Sequence, residues 1–210
     1  MDPLVRLLFL AALIALAGCT IGVSERGGGG AVTATPTGTV GDTDETQTGA
    51  LSPGFEPADR IEVRVLDVVD GDTVDVRLPD GSEDTVRLVG IDTPEVHAET
   101  APLEYEGVPG TSAGRACLRS AGEDASAFLD SRIDGEQVTL VVDPNADRRG
   151  GYGRLLAYVS HDGQNLNWAL VAAGHARVYD TDFALRDAFD SAEVAARGAG
   201  RGLWRCRNPD

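Results

Sequence analysis

Alternation of apolar and polar positions sets in at residue 61 and recurs five times. The segments IEVRVLDVV (61–69), DTVDVRL (72–78) and DTVRLVGI (84–91) place Val, Leu or Ile at alternate positions, the mark of strands with one buried face. Asp80-Gly81 between the second and third is a hairpin turn signal. QVTLVVD (137–143) and RLLAYVS (154–160) repeat the pattern, and Asp162-Gly163 marks another turn. Elsewhere the period lengthens. In 113–133, Leu118, Ala121, Ala125, Phe128 and Leu129 fall on one helical face. NWALVAAG (167–174) reads as a short helix ending at a C-cap glycine, and 182–198 reads as a longer one. A Pro- and Gly-rich loop spans 97–111.

A first helix lying between the third and fourth of five strands is the order of an OB-fold barrel. The predicted class is therefore α+β: an OB-fold five-stranded β-barrel with about three helices, two of which cover part of the barrel. This accounts for residues 57–210. What precedes it is different. Arg6 leads into LLFLAALIALAG, too short for a membrane span but long enough for a signal-peptide core. The run ends in LAGC, which resembles a lipoprotein processing box. Cleavage after residue 18 would leave Cys19 for a lipid anchor; the alternative is an ordinary secretion signal with an incidental cysteine. Residues 19–56, rich in Gly, Thr, Ser, Ala and Pro, cannot bury a core and read as a flexible tether. Both readings put the mature protein outside the cytoplasm, and the first holds it to a membrane by the lipid.

Charge changes the picture of the surface. The formal net charge is −16, and all 18 basic residues are arginine. Excess Asp and Glu without lysine point to adaptation to very high salt, where the Debye length shrinks to roughly 3 Å and self-repulsion costs little. Skewed codon use in an ordinary acidic protein is the alternative. Aromatics make up 5% of the chain, so Val, Leu and Ala must fill the core. Cys117 and Cys206 remain in the domain, and an extracellular setting permits a bridge between them.

The candidate chemistry lies at strand ends. DVVDGDTVDV carries Asp67, Asp70 and Asp72 around one bend, and VRLVGIDTPE carries Asp92 and Glu95. Aspartate is common at turns for local reasons. Yet two carboxylates from neighbouring strand ends can also converge on a hard cation such as Ca²⁺, which takes oxygen ligands. Arg87 sits between Val86 and Leu88, and Arg154 opens a strand after RRGGYG. Alternation turns both away from the core, where two planar guanidinium forks could hold one phosphodiester.

Taken together, VVDGDTVDV, VRLVGIDTPE and GYGRLLAYV, in this order and spacing, resemble the staphylococcal nuclease (thermonuclease) family. The likeness runs over about residues 61–205 and includes ASAFL, NWALVAAGHARV and the terminal GRGLW. It implies calcium ligation by Asp72 and Asp92, with the Thr93 backbone carbonyl, and places Asp70 near the ion. It implies that Glu95 orients or deprotonates the attacking water, that Arg87 and Arg154 clamp the scissile phosphate, and that Tyr152 contacts a neighbouring phosphate. The implied activity is hydrolysis of DNA and RNA to 3′-phosphorylated products, with no obligate protein partner and a monomeric chain.

The chain departs from the family pattern in places. Gly151 stands where a lysine precedes the tyrosine of KYGR, with Arg148 and Arg149 as candidate substitutes. Tyr179 is the candidate for base stacking, with a core role as its alternative. The loop 97–111 is expected to shape one wall of the cleft. His97, His161 and His175 lack metal-ligand spacing and read as structural or surface residues.

Overall fold

The computed structural model describes residues 59–209; the apolar leader, Cys19 and the tether lie outside the described residues. The strands are β1 (Arg60–Asp70), β2 (Thr73–Arg77), β3 (Glu83–Leu88), β4 (Ile91–Asp92), β5 (Gln137–Val141), β6 (Leu155–His161), β7 (Gln164–Asn165) and β8 (Arg177–Val178). The helices are α1 (Ser112–Ile133), α2 (Leu166–Ala173) and α3 (Arg186–Gly198), with 3-10 turns at Pro102–Glu104 and Gly202–Arg207. Strands run in the order β3-β2-β1-β5-β6, and β3 pairs in parallel with β6 to close a five-stranded barrel. The OB-fold expectation is met, with helices outside the barrel.

β1 makes closure possible by serving two partners. Its first half, Arg60–Arg64, pairs with β5, and Arg64–Asp70 pairs with β2. Register shifts between Val65 and Asp67 and between Val68 and Asp70 mark bulges that bend it from one partner to the other. Inside lie Val63, Val65, Val74, Val76, Val86, Leu88, Leu140 and Val159, as the alternation predicts. At roughly 1.5–3 kcal/mol for each fully buried aliphatic side chain, this aliphatic core can hold the barrel with few aromatics. Asn167 ties α2 to the barrel: its Oδ1 accepts from the Val159 amide at 2.9 Å, and its Nδ2 donates to the Val89 and Ala157 carbonyls.

Two expected elements are shorter than their periodicity. The third strand stops at Leu88, because the chain turns at Val89-Gly90, where Gly90 takes φ +78°. Residues 91–92 then form the separate two-residue β4, paired with β8. The last helix starts at Arg186 instead of 182; Phe183 is buried beside Phe189 in the core, and its segment forms the turn that leads into the helix.

α1 packs its Leu118, Ala121, Gly122, Ala125, Leu129 and Ile133 face inward. Thr111 caps it, its Oγ1 accepting from the Gly114 amide at 3.2 Å. Gly122 is needed because the 92–95 segment crosses the helix there: a Cβ would lie 2.3 Å from the Pro94 carbonyl oxygen. Gly71 does the same at the β1–β2 bend, where a Cβ would lie 2.6 Å from Ala125 Cβ and 2.9 Å from Thr93 Oγ1. The two glycines let the 70–72 bend and the 92–95 segment meet over α1.

A second hydrophobic cluster of Tyr105, Val108, Leu118, Ala121, Ala196, Leu203, Trp204 and Cys206, outside the barrel core, forms around the first half of α1. Cys117 and Cys206 are joined by a disulfide through it, with Cα atoms 5.6 Å apart. The loop 97–111 therefore serves packing: Tyr105 and Val108 bury in this cluster, and no residue of the loop lines the cleft described next.

Candidate active site

The β1–β2 bend and the end of β3 bring four of the sequence-predicted residues onto one spot. Asp72 is 1% exposed. One of its carboxylate oxygens accepts from the Thr93 amide at 2.8 Å and from Thr93 Oγ1 at 3.2 Å. The other accepts from Thr73 Oγ1 at 3.1 Å and pairs with Arg87 Nη1. Arg87 uses its second terminal nitrogen on Asp92 Oδ1 at 2.7 Å. One guanidinium thus bridges the two candidate metal carboxylates, which meet around Arg87.

Asp70 takes a local role, its Oδ1 accepting from the Asp72 amide at 3.0 Å, which fixes the bend. Among the described residues no three His, Cys, Asp or Glu side chains gather as a metal cage. The ligand atoms that Asp72 and Asp92 offer are carboxylate oxygens, and the Thr93 backbone stands beside them, its amide donating to Asp72. That set suits a hard cation such as Ca²⁺ and not a soft one.

A cleft of about 310 Å³ opens beside this cluster. Arg87, Gly90 and Asp92 form one wall, Ala146, Asp147, Gly151, Tyr152 and Arg154 another, and Tyr179 and Thr181 a third. Arg154 donates to Thr73 Oγ1 at 3.4 Å and lies 5.8 Å from the Tyr152 ring centre. It has no carboxylate partner among the described residues. Tyr152 is 90% exposed and Tyr179 48% exposed, so both rings are open to a ligand and Tyr179 is not a core aromatic.

Other predicted positions stand apart. Glu95 is exposed and does not line the cleft; its backbone carbonyl accepts from Thr100 Oγ1 at 2.9 Å. Arg148 pairs with Asp59, and Arg149 with Asp84 at 2.6 Å, so neither replaces the missing lysine in the cleft. The Arg149 hydrogen bond holds the Asp84 carboxyl below the usual carboxylate range.

Two residues that the sequence did not single out shape the site. Asp143 is buried at the end of β5; it accepts from the Asn145, Ala146 and Ala184 amides and from the Tyr158 hydroxyl. Four donors on one carboxylate anchor the Ala146–Asp147 wall. Arg177, opposite Asp92 on β8, grips Asp92 Oδ2 with Nε at 3.0 Å and Nη2 at 2.8 Å. Its only sequence signal was an arginine in HARV; a two-residue ladder has no alternation to reveal its partner.

The profile described as Staphylococcal nuclease homologue matches residues 85–206. This chain belongs to the staphylococcal nuclease family. Among family relatives, an uncharacterized protein of Methanocaldococcus jannaschii is 37% identical over 150 residues, covering 69% of this chain and 72% of that protein. The SPbeta prophage-derived endonuclease YokF of Bacillus subtilis is 34% identical over 147 residues, 69% of this chain but 44% of YokF. The thermonuclease of Staphylococcus hyicus is 28% identical over 155 residues, covering 73% and 81%. The chain thus spans less than half the length of YokF, while it spans most of the staphylococcal enzyme.

Proposed function

We propose that this chain is a Ca²⁺-dependent nuclease that hydrolyses phosphodiester bonds of DNA and RNA. The observation that carries the reading is Arg154. In a protein with 34 acids against 18 arginines, a cleft-lining arginine without a carboxylate partner is set apart for an anion from outside. Arg87 stands on the same cleft, with Tyr152 and Tyr179 at its rim. The Arg154 fork would bind phosphoryl oxygens more tightly as charge builds on them, Arg87 would join it by exchanging a carboxylate partner for phosphate, and aromatic rings take bases by stacking. Named relatives include endonucleases and thermonucleases, which supports the same class.

Asp72, Asp92 and the Thr93 carbonyl would hold the cation, whose chemistry is to neutralise charge on the phosphoryl group and help align water. Glu95 would take a proton from the attacking water, whose oxygen bonds to phosphorus as the bond to the 5′ oxygen breaks; the leaving oxygen takes a proton from solvent, giving a 3′-phosphate and a 5′-hydroxyl. The leader and Cys19 support an extracellular, lipid-anchored protein that degrades nucleic acid outside the cell.

A second reading, an OB-fold binding module without hydrolysis, is favoured by one observation: Glu95 does not line the cleft. One assay separates the two. Purified protein is incubated with plasmid DNA in molar salt, with Ca²⁺ or with a chelator. The nuclease reading expects degradation with Ca²⁺ and none with chelator. Binding without cleavage in either condition replaces it with the binding module, and undiminished cleavage in chelator removes the metal role of Asp72 and Asp92.

A further inference from the structure

We propose that Arg177 is a positioning residue that holds the Asp92 carboxylate in the orientation required for cation binding. The inference rests on the calcium reading above and adds a residue and a loop to it. Its basis is the geometry on the far side of Asp92. The β4–β8 ladder sets Asp92 directly across from Arg177, and two donors of the guanidinium converge on the same oxygen, Oδ2. Oδ1, the oxygen bound by Arg87, is left on the side of Asp72. A carboxylate held through one oxygen by two converging donors, with Arg87 on the other, cannot rotate freely about its terminal torsion, so Oδ1 is presented in a fixed direction.

Arg177 is itself held on three sides. Its Cζ lies 5.4 Å from the Tyr105 ring centre and 5.9 Å from that of Tyr179, and Glu104 Oε2 is 3.8 Å from Nη2. Tyr105 is 2% exposed and belongs to the cluster crossed by the Cys117–Cys206 disulfide. Burial foremost, and then the Asp92 charge, push its phenol pKa up, while Arg177 opposes that shift; Tyr105 stays a neutral ring at any physiological pH. The loop 97–111 thus has a function beyond packing. It supplies a buried aromatic face and a carboxylate that fix a guanidinium, which in turn fixes a candidate metal ligand.

Outer partners of ligating side chains orient them, and their loss costs about 10- to 100-fold in metal affinity. A competing account gives the opposite sign. If Arg177 were only a nearby positive charge, removing it would tighten cation binding, because one repulsive charge would be gone.

The test uses that difference. Ca²⁺ binding to the full chain is measured by titration calorimetry in molar salt for the parent, Arg177→Met and Arg177→Lys. Methionine keeps an unbranched chain against Tyr105 without charge or donors; lysine keeps the charge without the two-donor fork. The expected result is a Kd raised about 10-fold or more in Arg177→Met, with Arg177→Lys between it and the parent. Melting of the calcium-free variants is recorded alongside, so that affinities are compared only between folded chains. A Kd unchanged or lowered in Arg177→Met overturns the positioning role. If Arg177→Met does not fold, the lysine variant decides: parent-like affinity overturns the role. A parent that binds no Ca²⁺ overturns the calcium reading and this inference together, whereas binding by the parent with an indifferent Arg177→Met overturns this inference alone.

Discussion

Arg87 spends its two terminal nitrogens on two different carboxylates, Asp72 and Asp92, while its side chain also lines the cleft. Only a planar fork can do this; an ammonium is a point charge. Arg87→Lys keeps the charge and loses the fork, so general attraction to DNA survives while the contact that strengthens with developing phosphoryl charge is lost. Turnover is expected to fall about 100-fold or more, with a much smaller change in DNA affinity, as when one preorganised donor to an anionic transition state is removed. Glu95→Gln should spare Ca²⁺ and DNA binding and slow hydrolysis, because it removes the proposed base and leaves the proposed cation ligands in place. Single-turnover cleavage and equilibrium binding on the same preparations check both variants. Parent-like cleavage by both would show the clamp and the base to be misassigned.

Among the elements, the outer cluster on α1 is the one most dependent on a covalent tie. The 3-10 turn Gly202–Arg207 carries Leu203, Trp204 and Cys206 into it, and the bridge to Cys117 spans 89 residues of sequence. Cross-linking a loop of that length disfavours the unfolded chain by about 4 kcal/mol on the chain-entropy account. Reduction is therefore expected to lower the melting temperature by roughly 10 °C in a domain of this size. Thermal melts with and without reductant check it, and coincident curves would show that the bridge does not stabilise the fold.

For the whole molecule the governing quantity is the net charge of −16. A polyanion approaching this surface in dilute buffer meets repulsion. In molar salt that field is screened within a few ångströms, and counterion release contributes little to binding, so affinity falls to the short-range contacts of Arg87, Arg154 and the two tyrosines. The same screening relieves repulsion within the folded state. Melting temperature is expected to rise as NaCl is taken from dilute to molar concentration. A flat or falling dependence, measured by calorimetry or circular dichroism, would contradict adaptation to high salt.

Much of the barrel was legible in the chain, because alternation is a property of adjacent residues. Val74, Val76 and Val86 could be assigned to the interior from spacing alone, and the structure buries them; Val68, which the same spacing points inward, is only half-buried where β1 bulges. That Asp72 and Asp92 could meet was readable from motifs at neighbouring strand ends; that Arg87, expected on a phosphate, lies between them and pairs with both was not. What only the tertiary structure decided are contacts between segments far apart in sequence that carry no periodic signal. Asp92 and Arg177 are separated by 85 positions and meet through a ladder two residues long. The third strand ends where Gly90 turns, and a local apolar run cannot announce that break. Tyr105, in a loop expected at the cleft, is drawn instead into the cluster around Trp204, because an aromatic ring gains more from burial than from facing water. The sequence determined which faces are apolar and which side chains can do chemistry; closure of the barrel, and the packing of α1 and the C-terminal turn against it, decided which of those side chains meet.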